Sequence, residues 1–355
     1  MLNNNAFCVL PFYGMEYPQN TPCCLLPSKF DIDQIKNQML AGIRPNDCNK
    51  CWRLEDSGVK SNRLIKNETL DFYLDRDIEL LLDDCKQGKN SVVQYQIETS
   101  KVCNGTCITC GSGASSAWAQ LERNNKKTPI KFWHSESYKA ENNIDYTTAK
   151  SIGFFGGEPF LSSANFDILE KLINAKNTDC HVSFITNGSF KMSDYQKHIL
   201  SKFKNINLCF SIDGVGPVFE YLRYPLKWTD LEKNILYCKE NNIMINVSYT
   251  VSNLNIFYHA QTVKWFNQNK LRFSMNPVYN PAYFKSSSLP ESVKNIILQK
   301  NSDDIKTLLT HCDDDAANYQ LFKNKITEQN SWKKIKMKDY IPEFAELIQF
   351  DDPVD

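Results

Sequence analysis

The sequence lacks several features that would each assign it to a large class of proteins. No apolar run approaches the length of a membrane-spanning helix, which argues against a helical membrane protein. The first residues lack the basic stretch, apolar stretch and small-residue cleavage site of a secretory signal peptide. We therefore expect a cytoplasmic protein, in which thiols stay reduced.

An excess of basic residues is also absent. Lys plus Arg is 41 and Asp plus Glu is 41, so the formal net charge is zero. A dedicated nucleic-acid-binding protein usually has a basic excess, so nucleic acid is not an expected partner. The 355 residues, 42% hydrophobic and 23% charged, suit an ordinary globular protein with one large domain and a smaller one.

Cysteine is abundant, with 13 residues, although disulfides are not expected in a reducing compartment. Clustered cysteines in such a protein indicate metal or redox chemistry. The tight groups are Cys23-Cys24, Cys48-Cys51 and Cys103-Cys107-Cys110. Four others stand alone and are expected to be small buried apolar residues, namely Cys180, Cys209, Cys238 and Cys312.

From about residue 92 the pattern alternates between strands and helices. The predicted strands are 92–100, 151–156, 181–186, 206–212, 243–251 and 271–278. Six strands that alternate with helices predict an α/β fold with a parallel sheet, curled as an open or partial barrel. Before this core, residues 1–66 are irregular and a helix is predicted near 68–86. After about 285 the chain is charged and helical.

Helix-start signals lie between the predicted strands. Ser163 precedes one periodic segment, Ser193 caps the next, and Thr229 to Glu232 form a capping box. A further helix is predicted at 257–267.

A C-x3-C-x2-C motif, Cys103-Asn-Gly-Thr-Cys107-Ile-Thr-Cys110, directly follows the first strand. Thiolates are the usual ligands of iron–sulfur clusters, and three cysteines fill only three of the four irons of a cubane. An open metal position is what a catalytic site requires. The alternatives are a structural zinc site or three core cysteines, but chemistry gathers at the C-terminal ends of barrel strands, which favours the cluster.

Further motifs end the next three strands. They are Gly156-Gly157-Glu158-Pro159, Thr186-Asn187-Gly188 and Ser211-Ile212-Asp213-Gly214, with Arg223 in a following loop. Carbonyls and a carboxylate are good acceptors for an ammonium group, and glycine lets the backbone come close to a ligand. Alone, the Gly-Gly-Glu-Pro segment would usually be a turn, and Arg223 would often form a surface ion pair.

Over residues 92–280 the order of these motifs resembles the radical S-adenosylmethionine (radical SAM) superfamily. The resemblance implies a partial (β/α)6 barrel with a 4Fe–4S cluster on Cys103, Cys107 and Cys110, and bound S-adenosylmethionine. It implies a low-potential electron donor, flavodoxin or ferredoxin, and cleavage of S-adenosylmethionine to a 5′-deoxyadenosyl radical that takes hydrogen from a substrate. The cofactor-binding residues that it implies are Gly156, Gly157, Glu158, Pro159, Asn187, Ser211, Asp213 and Arg223. It assigns no catalytic residue.

Within that set, the resemblance gives some residues particular roles. The Gly-Gly-Glu-Pro segment holds the methionine amino group, and Ser211 and Arg223 contact the ribose and carboxylate. Thr109 departs from the family pattern, which often has an aromatic residue before the third cysteine.

The N-terminal cysteines resemble the twitch or SPASM auxiliary-cluster region of some radical SAM enzymes. Gly14 precedes Pro22-Cys23-Cys24, and Cys48-x2-Cys51-Trp-Arg-Leu-Glu55 continues to Gly58 and Ser61-Asn-Arg63. We expect a second 4Fe–4S cluster on Cys8, Cys23, Cys48 and Cys51, with Cys24 as the alternative to Cys23. Four thiolates suit zinc equally well.

These features predict three regions: a twitch-like region with a helix at 1–90, a radical SAM core at 91–284 and a helical extension at 285–355. The expected activity is radical modification of a substrate, with a ribosomally made peptide as the first hypothesis. The alternatives are radical chemistry on a small metabolite and a non-catalytic iron–sulfur or zinc protein.

Overall fold

A computed structural model describes residues 6–58, 60–126, 146–301, 305–310 and 316–352. Its centre is one sheet of seven strands, and every neighbouring pair is parallel. The strands lie in sequential order: β1 (Gly14–Tyr17), β2 (Gln94–Glu98), β3 (Ser151–Phe155), β4 (His181–Thr186), β5 (Asn205–Ser211), β6 (Met244–Val251) and β7 (Arg272–Pro277).

All six predicted strands are confirmed as β2–β7, each within two residues of its predicted bounds. The prediction missed β1, a four-residue strand without an alternating apolar pattern. β1 pairs with β2 from Gly14 opposite Gln94 to Tyr17 opposite Ile97. The N-terminal region therefore supplies an edge strand to the sheet of the core.

Helices connect and cover the strands. In the N-terminal region they are α1 (Leu10–Tyr13), α2 (Ile32–Leu40), α3 (Asn49–Asp56), α4 (Asn62–Leu74) and α5 (Ile78–Lys86). Around the sheet they are α6 (Ser116–Lys126), α7 (Ser163–Asn174), α8 (Asp194–Leu200), α9 (Pro217–Leu222), α10 (Trp228–Glu240) and α11 (His259–Gln268). The C-terminal helices are α12 (Glu291–Lys300), α13 (Lys306–Thr310), α14 (Ala316–Lys333) and α15 (Pro342–Leu347).

The sheet has one apolar face because side chains alternate along each strand. Phe154, Phe184, Leu208 and Phe210 lie in the main hydrophobic cluster and are fully buried, and the rings of Phe154 and Phe184 are 4.9 Å apart. The C-terminal helices share this cluster, for example through Phe322 of α14. Residues of α1, α2, α4 and α5 form a second cluster, which also contains Val93 just before β2.

The structure corrects two helix predictions. The helix expected near 68–86 is two helices, because Asp75 between α4 and α5 has a left-handed φ of 49°, which Asp tolerates better than most residues. The prediction of a capping box at Thr229 is wrong, because α10 already begins at Trp228. The Trp228 N–H donates to Glu220 Oε1 at 3.1 Å. The Ser193 cap of α8 is confirmed as a capping box with Gln196.

In the part of the chain that the structure describes, no helix combines the length and apolar character that crossing a membrane would take.

Candidate functional site

The three-cysteine loop follows β2 and is fastened to the segment after α9. The Thr106 N–H donates to the Tyr224 carbonyl at 2.6 Å, and the Ile108 N–H donates to the Leu222 carbonyl at 2.8 Å. The Ser115 hydroxyl donates to the Gly105 carbonyl at 2.7 Å. These contacts give the loop a fixed shape without using any of its thiols.

The three thiols of this loop form no disulfide. Cys103 and Cys107 are half-buried and Cys110 is exposed. Burial raises the pKa of the Cys107 thiol to about 12, which the Arg223 charge opposes and the neighbouring Cys110 and Cys103 reinforce. A bound metal would reverse this, because metal binding deprotonates its thiol ligands.

This donor set fits an iron–sulfur cluster by its chemistry, because the ligands are three soft thiolates on one short loop. Across residues 6–58, 60–126, 146–301, 305–310 and 316–352, no three His, Cys, Asp or Glu side chains converge as the ligands of a single metal ion would. A cubane makes a different demand, because each thiolate binds a different iron.

The Gly-Gly-Glu-Pro segment runs directly beside the start of the cysteine loop. The Gly157 N–H donates to the Ser100 carbonyl at 3.1 Å, and the Glu158 N–H donates to the Val102 carbonyl at 2.7 Å. A Cβ at Gly157 would lie 2.3 Å from the Val102 carbonyl oxygen, and Gly156 has a φ of 120°. Both glycines are therefore required by this backbone contact, and Pro159 begins the buried turn that follows.

Glu158 joins this segment to the end of β4. Its buried carboxylate accepts hydrogen bonds from the Thr186 hydroxyl (2.8 Å), the Asn187 N–H (2.7 Å) and the Phe160 N–H (3.1 Å). Burial raises the pKa of Glu158 from 4.5 to about 7, although these hydrogen bonds oppose the shift. The carboxylate thus positions the Thr186–Asn187 segment, in addition to the ligand contact that the family resemblance implies.

The raised pKa of Glu158 predicts that its ionisation destabilises the metal-free protein. Below pH 4.5 the group is protonated in the folded and unfolded states; between pH 4.5 and 7 only the unfolded state releases the proton. Stability is therefore lost as the pH rises through this window, by about 3 kcal/mol for a rise in pKa from 4.5 to about 7. Urea unfolding of the wild type and Glu158→Gln at pH 5 and 7.5 tests this, because Gln does not titrate. An equal difference between the two proteins at both pH values would contradict it.

Asn187 connects the β4 end to the cysteine loop. Its amide donates to Asn104 Oδ1 at 2.7 Å, and the Asn104 amide donates to the Ser189 carbonyl at 2.7 Å. The sequence alone assigns no role to Asn104, because an Asn between two cysteines is typical of an ordinary loop. The pair brings two of the predicted motifs into direct contact.

Arg223 and Asp213 form a buried ion pair rather than a surface one. Arg223 Nη2 lies 2.8 Å from Asp213 Oδ2, and the two side chains are 11% and 6% exposed. Arg223 Nη1 is 4.0 Å from Cys107 Sγ. Burial lowers the pKa of Arg223, but the charges of Asp213 and Cys107 outweigh it, and the net direction is upward. The buried Nε has no acceptor among the described residues, which leaves one donor for an anionic ligand.

The Asp213 carboxylate also accepts the Thr250 N–H at 3.1 Å, which fixes it at the end of β6. Asp213 therefore holds Arg223 in place. Ser211 is half-buried at the end of β5, in register with Ser248 of β6. Both predicted residues lie at the end of the sheet where the cysteine loop begins.

The C-terminal extension reaches this loop through α14. The Gln329 amide donates to the Ile108 carbonyl at 3.2 Å, and the Lys333 ammonium donates to Gln329 Oε1 at 3.2 Å. Trp118 of α6 lies between the cysteine loop and Lys333. Its Nε1 donates to the Cys107 carbonyl at 2.7 Å, and its ring is 4.7 Å from Lys333 Nζ. The sequence did not predict Lys333 as a site residue, because nothing in it distinguishes Lys333 from the other lysines of the stretch from Trp332 to Lys338.

Four of the N-terminal cysteines line a second, separate cavity. Cys8, Cys23, Cys48 and Cys51 line one cavity, whereas Cys24 is exposed and is not among its lining residues. Burial raises the pKa of Cys8 to about 12 and that of Cys48 to about 11. The structure thus places the four cysteines expected to hold an auxiliary metal centre around one cavity, and thiolates are the usual ligands of an iron–sulfur cluster.

The residues after Cys51 build the wall of this cavity. Arg63 lines it and donates through Nε to Glu55 at 2.9 Å and through Nη1 to the Phe7 carbonyl at 2.7 Å. Its guanidinium lies 4.7 Å from the Trp52 ring, and Asn62 Nδ2 is 4.0 Å from Cys23 Sγ. The spacing of Glu55 and Arg63 in the sequence therefore has a physical reason, a buried ion pair beside the thiols.

The isolated cysteines follow the expectation in part. Cys180 and Cys238 are buried, Cys209 is half-buried on β5, and Cys312 lies outside the described residues.

The sequence matches no family model. It matches no curated protein either. Solved structures whose backbone is similar include anSMEcpe with bound AdoMet. It is 20% identical with a TM-score of 0.38, over 60% of this chain and 62% of that chain. Streptococcus suis SuiB bound to S-adenosylmethionine is 16% identical with a TM-score of 0.38, over 79% of this chain and 63% of that one.

SuiB bound to the precursor peptide SuiA is 13% identical with a TM-score of 0.37, over 89% of this chain and 69% of that chain. The alignments to anSMEcpe and to S-adenosylmethionine-bound SuiB cover less than two thirds of those chains. Since the TM-scores are below 0.5, the interpretation of the site depends on the contacts of this chain itself.

Proposed function

We propose that this chain is a radical SAM enzyme. The observation that carries the proposal is the convergence of four motifs from separate strand ends: the cysteine loop touches the Gly-Gly-Glu-Pro segment, Asn187 and Arg223 directly. Catalytic sites of α/β barrels lie at this end of the strands.

In this proposal Cys103, Cys107 and Cys110 hold a 4Fe–4S cluster. When bound there with S-adenosylmethionine, such a cluster supplies one electron that cleaves the sulfonium C–S bond and yields the 5′-deoxyadenosyl radical. Arg223 offers its orphan Nε donor to an anionic group such as a carboxylate. Gly156 and Gly157 let their backbone pack closely against the start of the cysteine loop, and Glu158 fixes the end of β4 through the Asn187 N–H.

The substrate proposed is a peptide, because the second face of the sheet carries hydrogen-bonding side chains. Ser183, Asn207, Asn246 and Ser248 are half-buried there, and the Asn246 amide donates to Asn207 Oδ1 at 3.0 Å. A peptide backbone presents a donor and an acceptor at every residue, which suits this polar surface. A low-potential flavodoxin or ferredoxin is the proposed electron donor.

The activity is tested by an anaerobic assay of the iron-reconstituted protein with S-adenosylmethionine and dithionite. Formation of 5′-deoxyadenosine is the expected result. Candidate peptides and metabolites with deuterated C–H positions are then compared, and label in 5′-deoxyadenosine identifies the substrate class. A reconstituted protein that contains the cluster but forms no 5′-deoxyadenosine would overturn the proposal.

We further propose that Cys8, Cys23, Cys48 and Cys51 hold a second 4Fe–4S cluster, since all four line one cavity. The expected iron content after reconstitution is about eight per chain. Cys48→Ala/Cys51→Ala should lower it to about four, whereas Cys24→Ala should leave it at about eight, because Cys24 is not among the lining residues. About four irons in the wild type, together with one zinc, would instead identify a zinc site.

A further inference from the structure

Lys333 is a buried cation beside the cysteine loop. It ends α14 and is 5% exposed. Its ammonium meets Gln329 Oε1 at 3.2 Å and the face of Trp118 at 4.7 Å. Both neighbours are themselves bound to the loop, Gln329 through the Ile108 carbonyl and Trp118 through the Cys107 carbonyl. The ammonium is therefore held at a fixed position relative to the three thiols.

This cation has no carboxylate partner at salt-bridge distance in the described part of the chain. A buried charge is costly unless an opposite charge compensates it. Burial lowers the pKa of Lys333 to about 7, and the ionised forms of the Cys107 and Cys110 thiols oppose this shift. These thiols are protonated when no metal is bound, so the loop would supply the compensating charge for Lys333 only when its thiols are ionised as cluster ligands.

We infer that Lys333 is a positioning residue whose charge favours the reduced state of the cluster on Cys103, Cys107 and Cys110. The inference rests on the proposed function, since it requires that cluster. Reduction adds one electron from the low-potential donor and makes the cluster more negative, and no bond is formed or broken. A fixed positive charge nearby stabilises the more negative state, so the protein uses its C-terminal helix to make reduction easier.

The size of the effect follows from Coulomb's law. A unit charge taken at roughly 10 Å, in an effective dielectric of about 20, would change the equilibrium constant for reduction about tenfold. For a one-electron couple a tenfold change corresponds to about 59 mV. Lys333→Met removes the charge and keeps an unbranched apolar stem against Trp118.

The test is a redox titration of the reconstituted full chain, followed by electron paramagnetic resonance. The signal that changes on addition of S-adenosylmethionine identifies the cluster on the cysteine loop and separates it from the auxiliary centre. We expect the midpoint potential of Lys333→Met to be about 59 mV more negative than that of the wild type. Lys333→Arg should stay near the wild-type value, and so should Lys334→Met, which removes an exposed charge from the next residue.

The possible results separate the two proposals. A wild-type potential in Lys333→Met, with wild-type iron content, would overturn the role of Lys333 and leave the proposed function standing. A wild type without an S-adenosylmethionine-responsive signal would overturn the proposed function and this inference together. If Lys333→Met loses iron, Lys333→Gln replaces it, and a potential equal to that of the wild type again contradicts the inference.

Discussion

Cys107→Ala is expected to abolish the cleavage of S-adenosylmethionine under anaerobic reducing conditions. In the proposed site Cys107 is the middle ligand of the loop, and its Sγ lies 4.0 Å from Arg223 Nη1. Two remaining thiols cannot hold a cubane in the proposed way. Loss of a residue that only supports a metal ligand typically costs 10–100-fold, so loss of a ligand should lower the formation of 5′-deoxyadenosine more than about 100-fold.

The substitution should not unfold the loop, because the Cys107 contacts that shape it are made by its backbone. The Trp118 indole donates to the Cys107 carbonyl, which alanine retains. Cys238→Ala is the matched control, since this thiol is buried in α10 outside the site and its loss should leave the yield of 5′-deoxyadenosine at the wild-type level. Full cleavage by Cys107→Ala would remove the basis of the proposed activity.

Asp213→Asn is expected to lower the free energy of unfolding of the metal-free protein by about 3 kcal/mol. Asparagine can still accept the Thr250 N–H, but it leaves the Arg223 guanidinium buried without a counter-charge. Breaking one side of a buried ion pair typically costs 3–5 kcal/mol because the other charge stays uncompensated. Urea unfolding followed by circular dichroism measures the change.

A second substitution separates this explanation from a general loss of packing. Asp213→Asn/Arg223→Met removes both charges and should recover most of the lost stability, because replacing both members of a buried pair with uncharged groups is often nearly neutral. Asp179→Asn is the control on the surface, where Asp179 and Lys204 are 76% and 72% exposed, and no measurable change is expected. A double variant less stable than Asp213→Asn alone would contradict the account.

Much of the fold was predictable because alternating strands and periodic helices carry strong local signals. The six core strands and the cap of α8 depend on residues within a few positions of one another. β1 was not predictable in this way, because four residues beginning with Gly14 show no period, and only pairing with β2 makes them a strand. Likewise the cap of α10 comes from Glu220 on another helix, which no local motif reveals.

In the site, too, residues with local sequence signals were predictable and residues that depend on tertiary contacts were not. The cysteine spacing identified both groups of thiols, and those of the N-terminal region do share a cavity without Cys24. Asn104, Gln329 and Lys333 could not be assigned, because each contacts a group distant in sequence: Asn187, the Ile108 carbonyl and the Trp118 ring, respectively. Which carboxylate or arginine is buried is likewise a tertiary property. Arg223 forms a buried pair only because α9 returns it to Asp213, which lies just after β5.

The contact between Gln329 and Ile108 spans 221 residues of chain. At a synthesis rate of about 5–20 residues per second, roughly 10–45 seconds separate the emergence of the cysteine loop from that of the helix that covers it. During that time a nascent chain has the three thiols without the α14 side of their enclosure. If iron is inserted during synthesis, the cysteine loop is still open where α14 will pack. If iron is inserted into the finished protein, α14 already covers the loop there.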